Sequence, residues 1–213
     1  LFLAVTWLIP SLMRPGFRQR SVIPVCAVML LLGLMKLSWI QTGYWQNSIT
    51  LFEHTLDVTE RNTVAHSNLA TALRDRGRNS EAMHHLKTAL KIDPNDVFAH
   101  NSLALIFRDM GDMQKSIHHS RLALKLEPDF VVARVNLGIT LCMMGEQQEG
   151  LKQFHLALRT QPENLRAHVC LAIILSQLGE LDEARKHAGL ARSIEKKTPH
   201  IRPPMLSESG FPQ

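Results

Sequence analysis

Eleven histidines are the side chains of this protein with the widest chemical range, because an imidazole can bind a metal ion or carry a proton. Seven of them recur at 34 residues or at twice that interval: His66, His100 and His168; His84 and His118; His85 and His119. Adjacent residues of a helix point about 100° apart, so the neighbours His84 and His85 cannot both face one ion. No His-Glu-x-x-His motif occurs in the sequence. We therefore expect no metal site, and we interpret these histidines as solvated or groove-lining side chains.

The motifs of common enzymes are absent from the sequence. It contains no Gly-x-Ser-x-Gly elbow, no P-loop, no dinucleotide fingerprint and no pair of carboxylates placed for acid–base catalysis. Its three cysteines form no Cys-x-x-Cys motif, which disfavours a zinc site. We predict a non-enzymatic chain with no catalytic residues, no metal and no small-molecule cofactor.

Charge and composition place the chain among folded proteins. The formal net charge is +5, from 24 Lys and Arg against 19 Asp and Glu, and hydrophobic residues make up 45% of the sequence. That composition is too apolar for an intrinsically disordered chain. A nucleic-acid-binding surface needs its basic residues gathered into a patch or stripe, whereas here the two signs of charge are interspersed. We therefore predict no nucleic-acid partner.

A period of 34 residues organises residues 63–198. Five sets of residues recur at this interval, and five sets in phase exclude coincidence. The sets are Gly77, Gly111, Gly145 and Gly179; Leu69, Leu103, Leu137 and Leu171; Ala70, Ala104, Gly138 and Ala172; Ala89, Ala123, Ala157 and Ala191; Pro94, Pro128 and Pro162. The chain therefore contains four copies of one structural unit, over residues 63–96, 97–130, 131–164 and 165–198.

Each unit has the sequence of two helices joined by a turn. In the first unit, Leu69 and Leu73 lie on one face of a helix, and Gly77 follows where a residue of positive φ ends many helices. A second helix begins near Asn79, a capping candidate, and Pro94 stops it. One such pair cannot bury its own apolar face, so successive units must stack. The predicted fold is an all-α solenoid.

The repeat resembles the tetratricopeptide repeat (TPR) family. The first and third units match the family's spacing of small, large and turn residues: Leu69-Ala70, Leu73, Gly77, Ala82, Leu86, Ala89 and Pro94; Leu137-Gly138, Leu141, Gly145, Gly150, Phe154, Ala157 and Pro162. Ser116, Ser120 and Gly150 depart from the pattern, and we expect looser packing around them. The resemblance implies a TPR solenoid of about four helix-turn-helix repeats. Residues 44–62 resemble half a repeat, a second helix without its first.

The resemblance also implies where a ligand binds. In TPR proteins the position before the repeated leucine faces the concave groove, and here it holds Asn68, Ser102, Asn136 and Cys170. An amide side chain offers a donor and an acceptor, so asparagines can hold the backbone of an extended peptide. The alternative is that these asparagines are merely tolerated on a solvated helix face. The predicted groove contacts are His66, Asn68, His100, Asn101, Ser102 and Asn136.

An apolar run precedes the repeats. Residues 21–40 carry a single charge, at Lys36, and as a helix they are about 30 Å long, the thickness of a bilayer's hydrocarbon core. Trp39 and Trp45 lie where aromatic side chains gather at a membrane interface. We predict a transmembrane helix over residues 21–40. A buried core helix and a secretory signal peptide are the alternatives, and the length of the run disfavours both.

Residues 14–20 set the predicted orientation of that helix. They contain Arg14, Arg18 and Arg20, and short arginine-rich loops stay on the cytoplasmic side of a membrane. The repeats are then extracytoplasmic. Apolar residues 1–13 predict the tail of a truncated transmembrane helix, and residues 199–213 predict a flexible tail. We expect an integral protein of the plasma or inner membrane, or of the endoplasmic reticulum in a eukaryote.

Two functions are compatible with these patterns. The first is a membrane-anchored scaffold that binds peptides or partner proteins in an extracytoplasmic concave groove. The alternative is suggested by a resemblance to the C-terminal part of polytopic membrane glycosyltransferases that carry TPR tails. In that family the catalytic acidic residues lie in early loops near the N-terminus, and no such region is present in these 213 residues.

Overall fold

The computed structural model describes residues 29–36, 38, 47–59 and 61–197, and these residues form helices and turns without a β-strand. Residues 29–36 and 38 are helical. The helices that follow are α1 (Ser48–Val58), α2 (Thr63–Arg74), α3 (Asn79–Ile92), α4 (Val97–Asp109), α5 (Met113–Leu126), α6 (Val131–Met143), α7 (Gln147–Thr160), α8 (Leu165–Gln177) and α9 (Leu181–Lys197). Contacts divide the chain into two units, Leu1–His54 and Thr55–Gln213, and the repeat block lies in the second. The predicted all-α repeat architecture is confirmed.

The helices of the repeat block stack in chain order. Each of α2, α4, α6 and α8 packs on the helix that follows it, and α3, α5 and α7 each pack on the next repeat. The first helices of successive repeats also contact one another, whereas among the described residues the second helices do not. A stack whose first helices are close together and whose second helices are spread apart curves around the first helices. The first helices therefore line the inner, concave face of the block.

A glycine closes the turn between the two helices of every repeat. The φ angles of Gly77, Gly111, Gly145 and Gly179 lie between 75° and 85°. In the first repeat the Gly77 N–H donates to the Arg74 carbonyl at 2.8 Å, and the next N–H donates to the Leu73 carbonyl at 3.0 Å. This bonding satisfies carbonyl groups at the end of the helix, and any L side chain is strained at that φ. The 34-residue glycine series therefore reflects a backbone requirement.

Side-chain caps begin three of the four first helices. Asn62, Asp96 and Asn164 each accept a hydrogen bond from the backbone N–H three residues later, at 2.9 to 3.0 Å. These caps satisfy donors that a helix leaves unpaired at its N-terminus. Asn79, a predicted cap, is instead the first helical residue of α3, and Arg78 precedes it without a capping side-chain bond.

Two glycines allow α6 and α7 to pack closely against each other. A Cβ added at Gly138 would lie 2.6 Å from Cε1 of Phe154 and 3.1 Å from the carbonyl oxygen of Gly150. A Cβ added at Gly150 would collide with the sulfur of Cys142 and lie 2.9 Å from the Gly138 carbonyl oxygen. The Phe154 ring, which is 1% exposed, thus fills the space that a methyl group would take. The looser packing expected around Gly150 is wrong, because the missing side chain lets the helices approach.

We predict that Gly138→Ala destabilises the protein. The new methyl group forces the Phe154 ring or the α6 backbone to move, and overpacking of this kind costs about 1–3 kcal/mol. The first repeat has Ala70 and Leu86 at the equivalent positions, so Gly138→Ala combined with Phe154→Leu should cost less than the sum of the two single changes. Urea unfolding of the unchanged protein, the two single variants and the double variant measures this coupling. If the two substitutions changed the free energy of unfolding additively, the proposed contact would be contradicted.

The predicted transmembrane helix lies largely outside the described residues, which include only 29–36 and 38 of the range 21–40. No helix among the described residues is both long enough and apolar enough to cross a membrane. Residues 1–13, 14–20 and 199–213, to which we assigned a helix tail, a cytoplasmic loop and a flexible tail, also lie outside the described residues.

Candidate peptide-binding groove

A groove of about 550 Å³ opens on the inner face between the first and second repeats. Asn68 and Thr71 line it from α2, and Phe98 and Ser102 line it from α4. Asn95 contributes from the loop between the repeats. Hydroxyl and amide groups thus lie beside an aromatic ring, and ligand-binding sites commonly combine apolar surface with a few polar groups.

The structure divides the six predicted contact residues into two groups. Asn68 is exposed, and Ser102 is half-buried, and both line the groove. His66 is half-buried on α2. The other three face neighbouring helices and are buried: His100, Asn101 and Asn136.

The buried asparagines bond to each other instead of lining an open surface. The Asn136 side-chain N–H donates to Oδ1 of Asn101 at 2.9 Å, which joins α6 to α4. The Asn136 side chain is only 1% exposed. On α6, the Thr140 hydroxyl donates to the Asn136 carbonyl at 3.0 Å and lies 3.2 Å from the Ser116 hydroxyl of α5. These polar groups therefore hold the second and third repeats together.

Three histidine pairs join the two helices of the first, second and fourth repeats. In each pair the Nδ1 atoms lie 2.9 to 3.0 Å apart, and the pairs are His66–His85, His100–His119 and His168–His187. In the third repeat, the equivalent Arg134 donates to Oε1 of Gln153 at 3.4 Å. Interpreting all these histidines as solvated or groove-lining is thus wrong, since His100, His168 and His187 are buried. The fixed spacing of 19 residues between partners was the sequence signal for the pairs.

Hydrogen bonding sets the proton positions in two of these pairs. Nε2 of His100 lies 3.3 Å from the Pro94 carbonyl oxygen, and Nε2 of His168 lies 2.9 Å from that of Pro162. A carbonyl can only accept, so each Nε2 carries hydrogen, and the Nδ1 of the neutral ring accepts from its partner histidine. If both Nδ1 atoms of a pair carried hydrogen, two donors would face each other.

The partner histidines on the second helices resist protonation. The pKa of His119 is lowered from 6.5 to about 4, by burial first and then by the charges of His100 and His118. Burial is also the main cause that lowers the pKa values of His85 and His187, and it lowers that of His66 on the first helix α2 as well. The unfolded chain therefore binds protons at a higher pH than the folded chain does.

We predict that the protein loses thermal stability as the pH falls from about 6.5 towards 4. In that interval the unfolded His119 is protonated and the folded His119 is not, so protons favour unfolding. The double substitution His100→Arg with His119→Gln introduces the side chains that the third repeat has at these positions, Arg134 and Gln153. It should reduce the slope of melting temperature against pH. Scanning calorimetry from pH 7 to pH 4 measures both slopes. Identical slopes would exclude this pair as a source of the pH dependence.

An exposed apolar row follows the predicted groove and was missed by the sequence reasoning. Val64, Phe98 and Val132 occupy one repeat position near the start of α2, α4 and α6, and all three are exposed. Phe98 is 62% exposed, and its ring packs edge-on against Phe130 at 5.4 Å between centroids. The same 34-residue interval connects the three residues, so periodicity was the signal for this row as well.

Metal-binding and thiol chemistry have little support in the described part of the chain. It contains no group of three or more His, Cys, Asp or Glu side chains arranged to hold a metal ion. Cys142 and Cys170 are buried free thiols, and burial raises their pKa values to about 11 and about 12. A thiol that stays protonated at neutral pH is a weak nucleophile.

Family models match three stretches of the repeat block. Models described as TPR repeat and tetratricopeptide repeat match residues 70–111, 99–130 and 165–189. The block is built of tetratricopeptide repeats. The helix pairs, the positive-φ glycines and the inner face of first helices described above are accordingly features of TPR units.

The chain also has a partial sequence match to a curated protein and matches in fold to solved structures. Over 70 residues the chain is 37% identical to the human protein O-mannosyl-transferase TMTC1, a match that spans 33% of this chain and 8% of that protein. The crystal structure of MamA superposes with a TM-score of 0.62 at 21% identity and covers 75% of this chain and 93% of MamA. A chain of the anaphase-promoting complex hetero-tetramer Cut9-Hcn1 gives a TM-score of 0.64 at 17% identity, over 70% of this chain and 30% of that chain. At such identities the structures show the fold alone.

Proposed function

We propose that this protein is a membrane-anchored TPR scaffold that binds a peptide or partner protein in its inner groove, outside the cytoplasm. The observation that carries the proposal is the groove between α2 and α4, where Asn68 and Ser102 stand beside the exposed ring of Phe98. A large aromatic side chain exposed on a concave surface loses water when a partner covers it, and such residues are enriched where proteins bind.

The polar side chains of the groove supply the complementary contacts. Asn68 is exposed and carries both a donor and an acceptor, which match the N–H and C=O groups of an extended peptide backbone. Asn101 and Asn136 hold α4, which forms one wall of the groove, against α6 through their mutual hydrogen bond. Among the six predicted groove residues, we assign direct contact to Asn68 and Ser102, which line the groove, whereas His66 is half-buried and pairs with His85. His100 serves with the asparagines as support.

We predict that a photoreactive amino acid at position 98 forms a crosslink to a discrete partner in cells. The same amino acid at position 121, an exposed site on the second helix α5, is the matched control and should give none. The variant Asn68→Ala with Phe98→Ala should reduce recovery of the identified partner by about tenfold or more, while its melting temperature stays close to that of the unchanged protein. Equal crosslinking from both positions would exclude the groove as the binding surface.

The proposed anchor is the apolar segment over residues 21–40. Its described part supports the proposal, because residues 29–36 are helical and expose six large apolar side chains: Met29, Leu30, Leu31, Leu32, Leu34 and Met35. A continuous apolar surface of this kind is unfavourable in water and favourable in lipid or against a partner. The arginines at positions 14, 18 and 20 would keep the preceding loop in the cytoplasm.

We predict that the TPR block is protected from protease in sealed membrane vesicles. The full chain with a C-terminal tag should keep that tag during proteinase treatment and lose it once detergent opens the vesicles. Replacing Arg14, Arg18 and Arg20 with Gln removes the charge bias, so part of the population should invert and become sensitive. A tag that is digested in sealed vesicles contradicts the proposed orientation.

A second candidate function is the TPR tail of a polytopic membrane glycosyltransferase. The similarity to TMTC1 favours it, although the matched stretch is only 8% of that relative. The described residues would then hold a substrate or partner for chemistry performed by another part of the protein. The transcript upstream of the codon for Leu1 separates the two functions: further apolar spans with an acidic pair in the first outer loop support the transferase, and a nearby start codon supports the scaffold.

A further inference from the structure

The outer face of the TPR block carries basic side chains in three rows. The second helices α3, α5 and α7 form this face, because the first helices line the inner face. Each row takes one repeat position from these three helices, and every member is Lys, Arg or His. The rows are His84, His118 and Lys152; Lys87, Arg121 and His155; Lys91, Lys125 and Arg159. All nine side chains are exposed.

The period of the helix gathers the three rows on one surface. In α3, His84, Lys87 and Lys91 are three and then four residues apart, a spacing that places side chains on one side of a helix. The equivalent residues of α5 and α7 keep this spacing, since the rows follow the 34-residue repeat. Acidic residues are absent from residues 82–92, 116–126 and 150–160 of these helices. The two signs of charge are interspersed along the sequence, but the fold separates them on this face.

The positive charges of the rows are largely uncompensated. Lys152 lies 3.5 Å from a carboxylate oxygen of Glu149. The other five Lys and Arg side chains of the rows form no ion pair with any described residue. Like charges four residues apart on a helix, such as Lys87 and Lys91, repel each other. The pattern is therefore unfavourable for the fold by itself and favourable for binding a polyanion.

The rows run in the direction in which the repeats stack. Packed helices lie about 8–10 Å apart, and α3, α5 and α7 do not contact one another, so a row spans at least roughly 20 Å. Across the rows, the seven residues from His84 to Lys91 rise about 10 Å along the helix. A surface of this shape matches an extended chain that carries anionic groups at short intervals.

The other side chains of this face narrow the class of polyanion. Leu126 is the one exposed large hydrophobic side chain of α3, α5 and α7, whereas protein interfaces normally have an apolar centre. The one Phe, Tyr or Trp of these helices, Phe154, is buried, so no aromatic ring is available to stack on the bases of single-stranded nucleic acid. The face is also convex, and a flat bilayer would touch only part of it. A flexible and hydrophilic polyanion fits these features best.

We propose that the three rows form a binding surface for a linear sulfated polysaccharide. The Lys and Arg side chains pair with sulfate groups, and each pairing releases counterions that had condensed along the polyanion. The rows lie on the opposite face of the TPR block from the groove, so a bound polysaccharide leaves the groove open. The proposed extracytoplasmic orientation disfavours duplex nucleic acid as the ligand, and the surface does not depend on the groove function.

The test measures binding of a fluorescein-labelled heparin decasaccharide to the full chain in nonionic detergent, by anisotropy at low salt. A chemically desulfated decasaccharide is the matched probe. The sulfated probe should bind at least about tenfold more tightly, and its affinity should fall steeply as salt is added, because charge pairing supplies most of the binding free energy. Equal affinity for the two probes overturns the proposal.

A variant that lacks one row locates the surface. The third row is removed by Lys91→Gln with Lys125→Gln and Arg159→Gln. Binding of the sulfated probe should weaken by at least about tenfold, since affinity for a polyanion rises with the number of cations that pair with it. The substituted side chains are exposed and form no described ion pair, so the melting temperature should stay close to that of the unchanged protein. Unchanged affinity overturns the surface.

The control variant loses the same charge elsewhere. It carries Arg76→Gln with Arg192→Gln and Lys196→Gln, at exposed positions outside the rows. Its affinity for the sulfated probe should stay within about twofold of that of the unchanged protein. If the control loses as much affinity as the row variant, binding reports net charge alone and the surface is overturned.

Competitors separate a polysaccharide from other polyanions. Duplex DNA, polyglutamate and anionic lipid added to the micelles should each displace the sulfated probe more weakly than unlabelled heparin does. Displacement by any of them at the same concentration as heparin overturns the polysaccharide assignment. A polysaccharide crosslinked from position 121 would migrate as a smear, which stays distinct from the discrete partner expected from position 98. Binding through the rows without a crosslink from position 98 would support this surface and refute the groove function.

Discussion

The close approach of the two helices within each repeat is the contact on which the rest of the structure depends. Small residues make it possible, such as the fully buried Ala70 in the first repeat and Gly138 against α7 in the third. Where one partner loses its side chain, the other fills the space, as the Phe154 ring does beside Gly138. Because each pair packs this tightly, its remaining apolar surface can be buried only by the next pair, and the stack grows in one direction.

Stacking also decides which positions are available for binding. The first helices contact one another, so they form the inner face, and their side chains divide between repeat-to-repeat bonds and the groove. Asn136 illustrates the first case, since it is buried and bonded to Asn101. Asn68 and Phe98 illustrate the second, because no neighbouring helix covers them.

The polar side-chain pair that joins the two helices of a repeat differs between repeats, so the repeats respond differently to a change in pH. The first, second and fourth repeats use a histidine pair whose Nδ1 atoms face each other, whereas the third repeat places Arg134 and Gln153 at the same positions. The arginine also donates to the Pro128 carbonyl, just as His100 approaches that of Pro94. Two kinds of polar pair thus hold the loop and the two helices of a repeat together.

The sequence alone determined the repeat, its helix pairs and its turns, because a 34-residue period repeats the local chemistry of capping and of positive-φ glycines, such as Gly77. It also pointed to the inner face through the position of Asn68. Only the tertiary structure decided that Asn136 is internal and that His100 faces His119. The reason is physical: periodicity specifies a residue's place within its own repeat, whereas burial and pairing depend on the twist and spacing between repeats. Those are set by the volumes of side chains that meet only in the folded stack.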